Sequence, residues 1–219
     1  MREGIETIAM AEPQIIFAED VGPAVEQMAL TVDGLVDAVR YADAERALCT
    51  AHDPRGFDLI MMNARLARAL RDQFVGEDWE LDETDNQPGI RNPRLKLRVI
   101  PCNFDQNAGN RLADPTNLRE KGTASSSKAQ CNKTAWLPGL EPVAEDGPED
   151  YDTFVLGTYV DDDGIVRAEL SRPLNFSSGK YTQFQPRIIL LTGDEDYAGG
   201  DRKPRDEPTE IIDIAVTRK

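Results

Sequence analysis

The residues best placed to do chemistry are cations gathered into one stretch of an otherwise acidic chain. Between positions 91 and 133 stand Arg91, Arg94, Lys96, Arg98, Arg111, Arg119, Lys121, Lys128 and Lys133, against only Asp105, Asp114 and Glu120. Nine cations against three anions give this segment +6, so the overall charge of -15 leaves -21 on the rest. Ser, Thr, Asn and Gly are interleaved with the cations, and their hydroxyls, amides and exposed backbone N–H groups donate to phosphate oxygens. Arg91, Arg94, Arg98, Arg111, Arg119, Lys121, Lys128 and Lys133 are therefore the candidate contacts to nucleic acid or another polyanion. Arg65, Arg68 and Arg71, spaced along one side of a predicted helix, would extend that surface. The competing expectation is that the basic segment folds against the protein's own carboxylates, because charge runs are weak motifs. Stacking partners for bases are few nearby, only Phe104 and Trp136.

Other chemistries find less support. Asp152 and Glu169 flank a predicted hairpin as the carboxylates of a metal-dependent nuclease might, but the Glu-x-Lys spacing is missing, since Ser171 follows Leu170. Cys131, between Lys128 and Lys133, has the surroundings of an activated thiol. A base for it would have to be His52, the one histidine of the chain, which lies in turn chemistry. Cys102, at a predicted strand end, reads as core. Asp161-Asp162-Asp163-Gly164 and Asp194-Glu195-Asp196 lack the alternating ligands of a calcium loop, and three scattered cysteines with one histidine give no zinc set. Gly89, Gly109 and Gly122 are isolated and form no phosphate-binding loop. No metal site and no cofactor are expected.

Three function classes follow. The first is a non-enzymatic binding or regulatory protein using the basic region 91–133. The second is an acidic decoy or regulator that presents Glu77 to Asp85, Glu145 to Asp152 and Asp194 to Glu207 to a basic, nucleic-acid-handling protein. The third is a divalent-metal nuclease or phosphotransfer enzyme assembled from dispersed carboxylates.

The elements that must position these residues form an α+β pattern. Gly22-Pro23 opens a predicted helix to about Leu48, with Val25, Met28, Val32, Leu35, Val36, Val39 and Ala42 on one stripe. A second helix, with Asp58 as N-cap, carries Leu59, Met62, Leu66, Leu70 and Phe74. Together they predict an N-terminal helical hairpin over 22–75, packed on a mainly antiparallel sheet formed by the C-terminal half. In that β-rich part, 94–219, Leu95 to Val99 alternates as a strand and Pro101 is expected to end it or mark an edge. A long loop over 103–134 and an acidic linker over 138–152 follow. Thr153 to Val160 and Ile165 to Leu170 predict a hairpin, Pro173 closes it, and Arg187 to Leu191 and Glu210 to Thr217 are further strands. Pro13 to Phe17 is a possible edge strand.

The 219 residues, 40% hydrophobic and 30% charged with a mean hydropathy of -0.50, are expected to fold as one domain over 1–219. No run of eighteen apolar residues spans a membrane, and Met1 to Glu6 has no signal-peptide core. Odd, widely spaced Cys49, Cys102 and Cys131 predict reduced thiols in a cytoplasmic protein.

Overall fold

The computed structural model describes residues 14–135 and 151–193, with the side chains of residues 133–135 outside the description. It is α+β: four helices and a seven-stranded mixed sheet of order β1-β7-β6-β5-β4-β3-β2. The helices are α1 (Val21–Glu26), α2 (Val32–Arg46), α3 (Phe57–Phe74) and α4 (Thr123–Ala135). The strands are β1 (Ile15–Ile16), β2 (Glu80–Asp82), β3 (Gly89–Asn92), β4 (Leu97–Asn103), β5 (Asp152–Val160), β6 (Val166–Ser177) and β7 (Lys180–Leu191). The final strand expected at Glu210 to Thr217 and most of the linker 138–152 lie outside the described residues. Among the described residues no helix is long and apolar enough to cross a membrane.

The expected first helix is interrupted. Ala29 takes a left-handed φ of 55°, and its carbonyl accepts from Trp79 Nε1 at 2.8 Å. Thr31 then caps a new start, its hydroxyl accepting from Gly34 N–H at 3.2 Å. The apolar spacing runs through the break because Met28 and Leu30 are buried on the same side as Val25 and Leu35. α3 begins at Gly56, not at Asp58: Gly56 adopts φ 76° as N-cap, and Asp58 sits in the first turn where an acid suits the helix dipole. α2 and α3 are antiparallel, since Gly34 at the start of α2 meets the Phe74 ring at the end of α3, and Glu45 pairs with Arg65 at 3.0 Å.

The sheet draws on more of the chain than its C-terminal half, since β1, β2, β3 and β4 all precede residue 104. It is antiparallel at β2–β3, β3–β4, β5–β6 and β6–β7 but parallel at β4–β5 and β1–β7. β4 runs on through Pro101 although it is an inner strand. β3 pairs it only as far as Ile90↔Val99, and Phe104 N–H turns to Thr158 O on β5 at 2.8 Å. By two-residue alternation Pro101 faces the open side, where its missing N–H removes no ladder bond.

Each face of the sheet has its own core. Val99, Phe154, Leu156, Leu170 and Ile188 pack against α1, α2 and α3, while Ile100, Cys102 and Val155 pack on the other face with Phe104, Ala129, Tyr181 and Phe184. The expected loop over 103–134 is thus partly helix. α4 covers this second face, inserting Asn132 between two strands: its Nδ2 donates to Thr153 O at 2.9 Å and Pro173 O at 2.7 Å, and its Oδ1 accepts from Thr153 N at 2.8 Å. Its low apolar content hid it, because a single polar side chain does the anchoring. β6 does not stop at Pro173. Register shifts at Ser171/Pro173, Pro173/Asn175 and Asn175/Phe176 bend the β6–β7 hairpin over this face.

Gly157 is where this second core is tightest. A Cβ there would sit 2.0 Å from Phe104 Cε2 and 2.1 Å from Cδ2, inside a ring packed against Phe184. Gly157→Ala is expected to destabilise the protein by about 1–3 kcal/mol in urea denaturation, by overpacking. An unchanged midpoint would show that the Phe104 ring moves aside freely.

Candidate functional site

β4, β5 and β7 run in one direction, since β4 pairs parallel with β5, and β5 and β7 both pair antiparallel with β6. The segment 104–122 leaves the carboxyl end of β4 and is folded against that end of the sheet before α4 begins.

Two anchors hold it. The first is a buried ion pair on the second face. Arg187 on β7 donates to Glu169 on β6 from Nε at 3.0 Å and from Nη2 at 2.6 Å. Its remaining hydrogens reach the segment: Nη1 to Ala113 O at 2.9 Å and Asp114 Oδ1 at 3.2 Å, Nη2 to Asn110 O at 2.9 Å. Glu169 accepts in return from Gly109 N–H at 2.8 Å and Ser171 Oγ at 2.6 Å. The second anchor is buried Asn117, which grips the hairpin tip. Its Nδ2 donates to Gly179 O at 2.9 Å and its Oδ1 accepts from Tyr181 N at 2.7 Å. Lys121 N–H bonds Gly179 O at 2.9 Å, and Lys180 Nζ bonds Leu118 O at 2.9 Å.

The eight expected polyanion contacts separate into two groups. Arg98 is buried and paired with buried Asp82. Lys128, only 4% exposed at its side chain, bonds Asp85 at 2.8 Å, and its ammonium holds the Asp85 carboxyl below the usual range. Arg91 faces Glu80 at 3.4 Å and Arg94 meets Asp78 at 3.1 Å. Buried Tyr151 lies beneath Arg98 and Lys96, both 5.1 Å from its ring centre. Four of the cations are therefore spent on the acidic stretch 78–85. Arg71 takes up Glu83 at 2.7 Å, so that stretch is itself largely neutralised from within. Arg65 and Arg68 pair with Glu45 and Asp72, at 3.0 Å and 3.3 Å, and do not extend a basic surface.

Arg111, Arg119 and Lys121 have no carboxylate within 4 Å among the described residues. All three lie on the anchored segment. Arg119 donates to Gly56 O at 3.2 Å, which fixes it over the first turn of α3. Lys121 borders a cleft of about 340 Å³ between α3 and the segment, with Asn63, Cys102, Asn103, Asn117 and Arg119. Burial pushes the Cys102 thiol up, Lys121 and then Lys180 acting against it. Arg111 lies over the Phe17 ring, 4.6 Å from its centre, on the rim of a second cleft. Of Lys133 only the α4 backbone is described.

The other candidates are placed elsewhere. Asp152 is held by Arg172 at 2.8 Å and Glu169 by Arg187, so neither carboxylate is turned to a metal, and among the described residues no three His, Cys, Asp or Glu side chains converge. Cys131 lies on α4 with its Sγ 3.7 Å from Tyr151 O, on the face opposite the α2–α3 turn that carries His52. None of the three cysteines is in a disulfide. Sequence reasoning passed over Phe17, Arg167 and Thr192, which share the second cleft with Arg111. Their positions, 17, 167 and 192, are too far apart for any spacing rule to join.

The chain matches no protein-family model, and comparison with curated proteins and with solved structures returns no match. The functional reading rests on the residues themselves.

Two outcomes test the anchors. Glu169→Gln leaves a buried guanidinium without its counter-charge and is expected to cost about 3–5 kcal/mol in denaturant unfolding. The double change Glu169→Leu with Arg187→Met is expected to cost less, yet to speed amide hydrogen exchange over 109–114. Tyr181 is fully buried with its hydroxyl unpaired, and burial drives its pKa upward, Ser125 opposing. The folded phenol stays neutral, so stability is constant below the unfolded tyrosine value of about 10 and falls as pH rises above it. Tyr181→Phe is expected to leave stability at neutral pH within about 1 kcal/mol and to flatten that alkaline fall.

Proposed function

We propose that this is a non-enzymatic binding protein that engages nucleic acid or another polyanion through Arg111, Arg119 and Lys121. The observation that carries the reading is that these three cations lack a carboxylate partner while Arg91, Arg94, Arg98 and Lys128 have one. A cation already paired must break that contact to bind phosphate, whereas an unpaired one offers its full charge. The segment's backbone is also anchored at both ends, so little ordering entropy is lost when a ligand docks. The overall charge of -15 repels a polyanion elsewhere, which confines binding to this end of the sheet and to low salt.

The test is fluorescence anisotropy with single-stranded DNA, duplex DNA and polyphosphate at rising salt. Each phosphate contact contributes about 0.7–0.9 to the slope of log affinity against log salt, so a slope near two to three is expected. Arg119→Ala and Lys121→Ala are each expected to reduce it by about one contact's share, and Arg94→Ala to leave it unchanged. Absence of retention of all three polyanions at low salt defeats the reading. Equal effects of Arg94→Ala and Arg119→Ala would show that the internal pairs are no bar to binding.

A further inference from the structure

The second cleft has a chemistry that polyanion binding does not use. It encloses about 470 Å³ between the β1 end and the segment after β4, within the range of small-molecule sites. Its walls combine two materials. Phe17, Ala18, Val21, Leu112 and Ile189 supply an apolar lining, and the polar lining comes from Asn110, Arg111, Arg167 and Thr192. No carboxylate lines it.

The polar groups are donors left without acceptors. Arg167 is held from behind, Nη1 donating to Gln106 O at 3.2 Å and Nη2 lying 3.6 Å from Asp161. Its Nε is nonetheless buried with no partner, and so is Thr192 Oγ1. A buried donor without an acceptor costs roughly 1–3 kcal/mol, so two of them in one cleft mark a place where an acceptor belongs. Asn110 has its Oδ1 occupied by Leu112 N–H at 2.8 Å, which leaves its amide N–H₂ as the available end. Arg111 adds an uncompensated guanidinium on the rim, set by the Phe17 ring.

We propose that this cleft is a binding site for a small organic anion, with a carboxylate or phosphate head and an apolar body. The head lies against Arg111, Arg167 Nε and Thr192 Oγ1, and the body lies on Phe17, Val21 and Ile189. The site goes beyond the polyanion reading and shares only Arg111 with it.

The experiment titrates the full chain with benzoate, phenyl phosphate, inorganic phosphate and benzyl alcohol, following amide resonances of Gly109, Asn110, Ile189 and Thr192. Benzoate or phenyl phosphate is expected to shift these resonances saturably, and whichever binds tighter identifies the head. Inorganic phosphate and the neutral alcohol are each expected to bind at least about tenfold more weakly, lacking body or charge. Arg111→Met is expected to weaken binding about tenfold or more. Thr192→Val removes an unpaired hydroxyl, so it folds at least as well as the parent and is expected to bind several-fold more weakly. The pair Arg119→Ala and Lys121→Ala is expected to leave benzoate binding unchanged while lowering the salt slope for DNA, which separates failure here from failure of the polyanion reading. The proposal is overturned if neither organic anion shifts these resonances, if benzyl alcohol or inorganic phosphate binds as tightly, or if Thr192→Val and Arg111→Met bind as the parent does.

Discussion

Glu169 and Arg187 lie on neighbouring strands, both almost wholly buried, with two hydrogen bonds between them. An ion pair in this position is expensive to desolvate, and a well-packed apolar pair would often serve stability as well or better. What the charged pair adds is reach. A guanidinium has five donors in a fixed fork, and Arg187 uses those beyond Glu169 to hold Asn110, Ala113 and Asp114. Leucine or methionine at these positions could fill the space but could not hold a backbone that has no strand partner. The path of the segment between β4 and α4, and both clefts it borders, depend on this contact.

The second organising constraint is the neutralisation of one charge block by another. The stretch 78–85 and the strands β3 and β4 are adjacent in the sheet, so Asp78, Glu80, Asp82 and Asp85 meet Arg94, Arg91, Arg98 and Lys128. The exposed pairs among these contribute little to stability. Their larger effect is on the field around the molecule. A chain with a formal charge of -15 has a surface on which the unpaired cations stand at one end of the sheet, beside both clefts.

The curved hairpin closes the design. By bending across the second face, β6 and β7 carry Gly179, Lys180 and Tyr181 back to Asn117 and Lys121. The same curl buries Tyr181 beside Phe176 and Phe184, with ring centres 5.4 Å and 5.9 Å apart. Sheet curvature and anchoring of the segment are thus one event: without the register shifts after Ser171 the tip could not reach it.

Much of the architecture was legible in the residues. The stripe from Val25 to Ala42, the stripe from Leu59 to Phe74, and the alternation of Leu97 to Val99 report burial at periods of 3.6 and 2, which are local properties. The turn Asp161 to Gly164 was readable for the same reason, since its backbone conformation selects its residues. Three things were not. Ala29 breaks the first helix because Trp79, fifty residues on, bonds its carbonyl. α4 forms on the grip of Asn132 without an apolar stripe. β4 passes through Pro101 because β3 ends short of it. The basic segment was legible as composition, but its division into paired and unpaired cations was not. Charge is a property of a residue, whereas neutralisation is a property of a pair brought together by sheet order. The sequence alone determined the α+β pattern and the cationic segment; only the tertiary structure decided which three cations remain unpaired and which two donors are buried in a cleft, because each depends on neighbours distant in the chain.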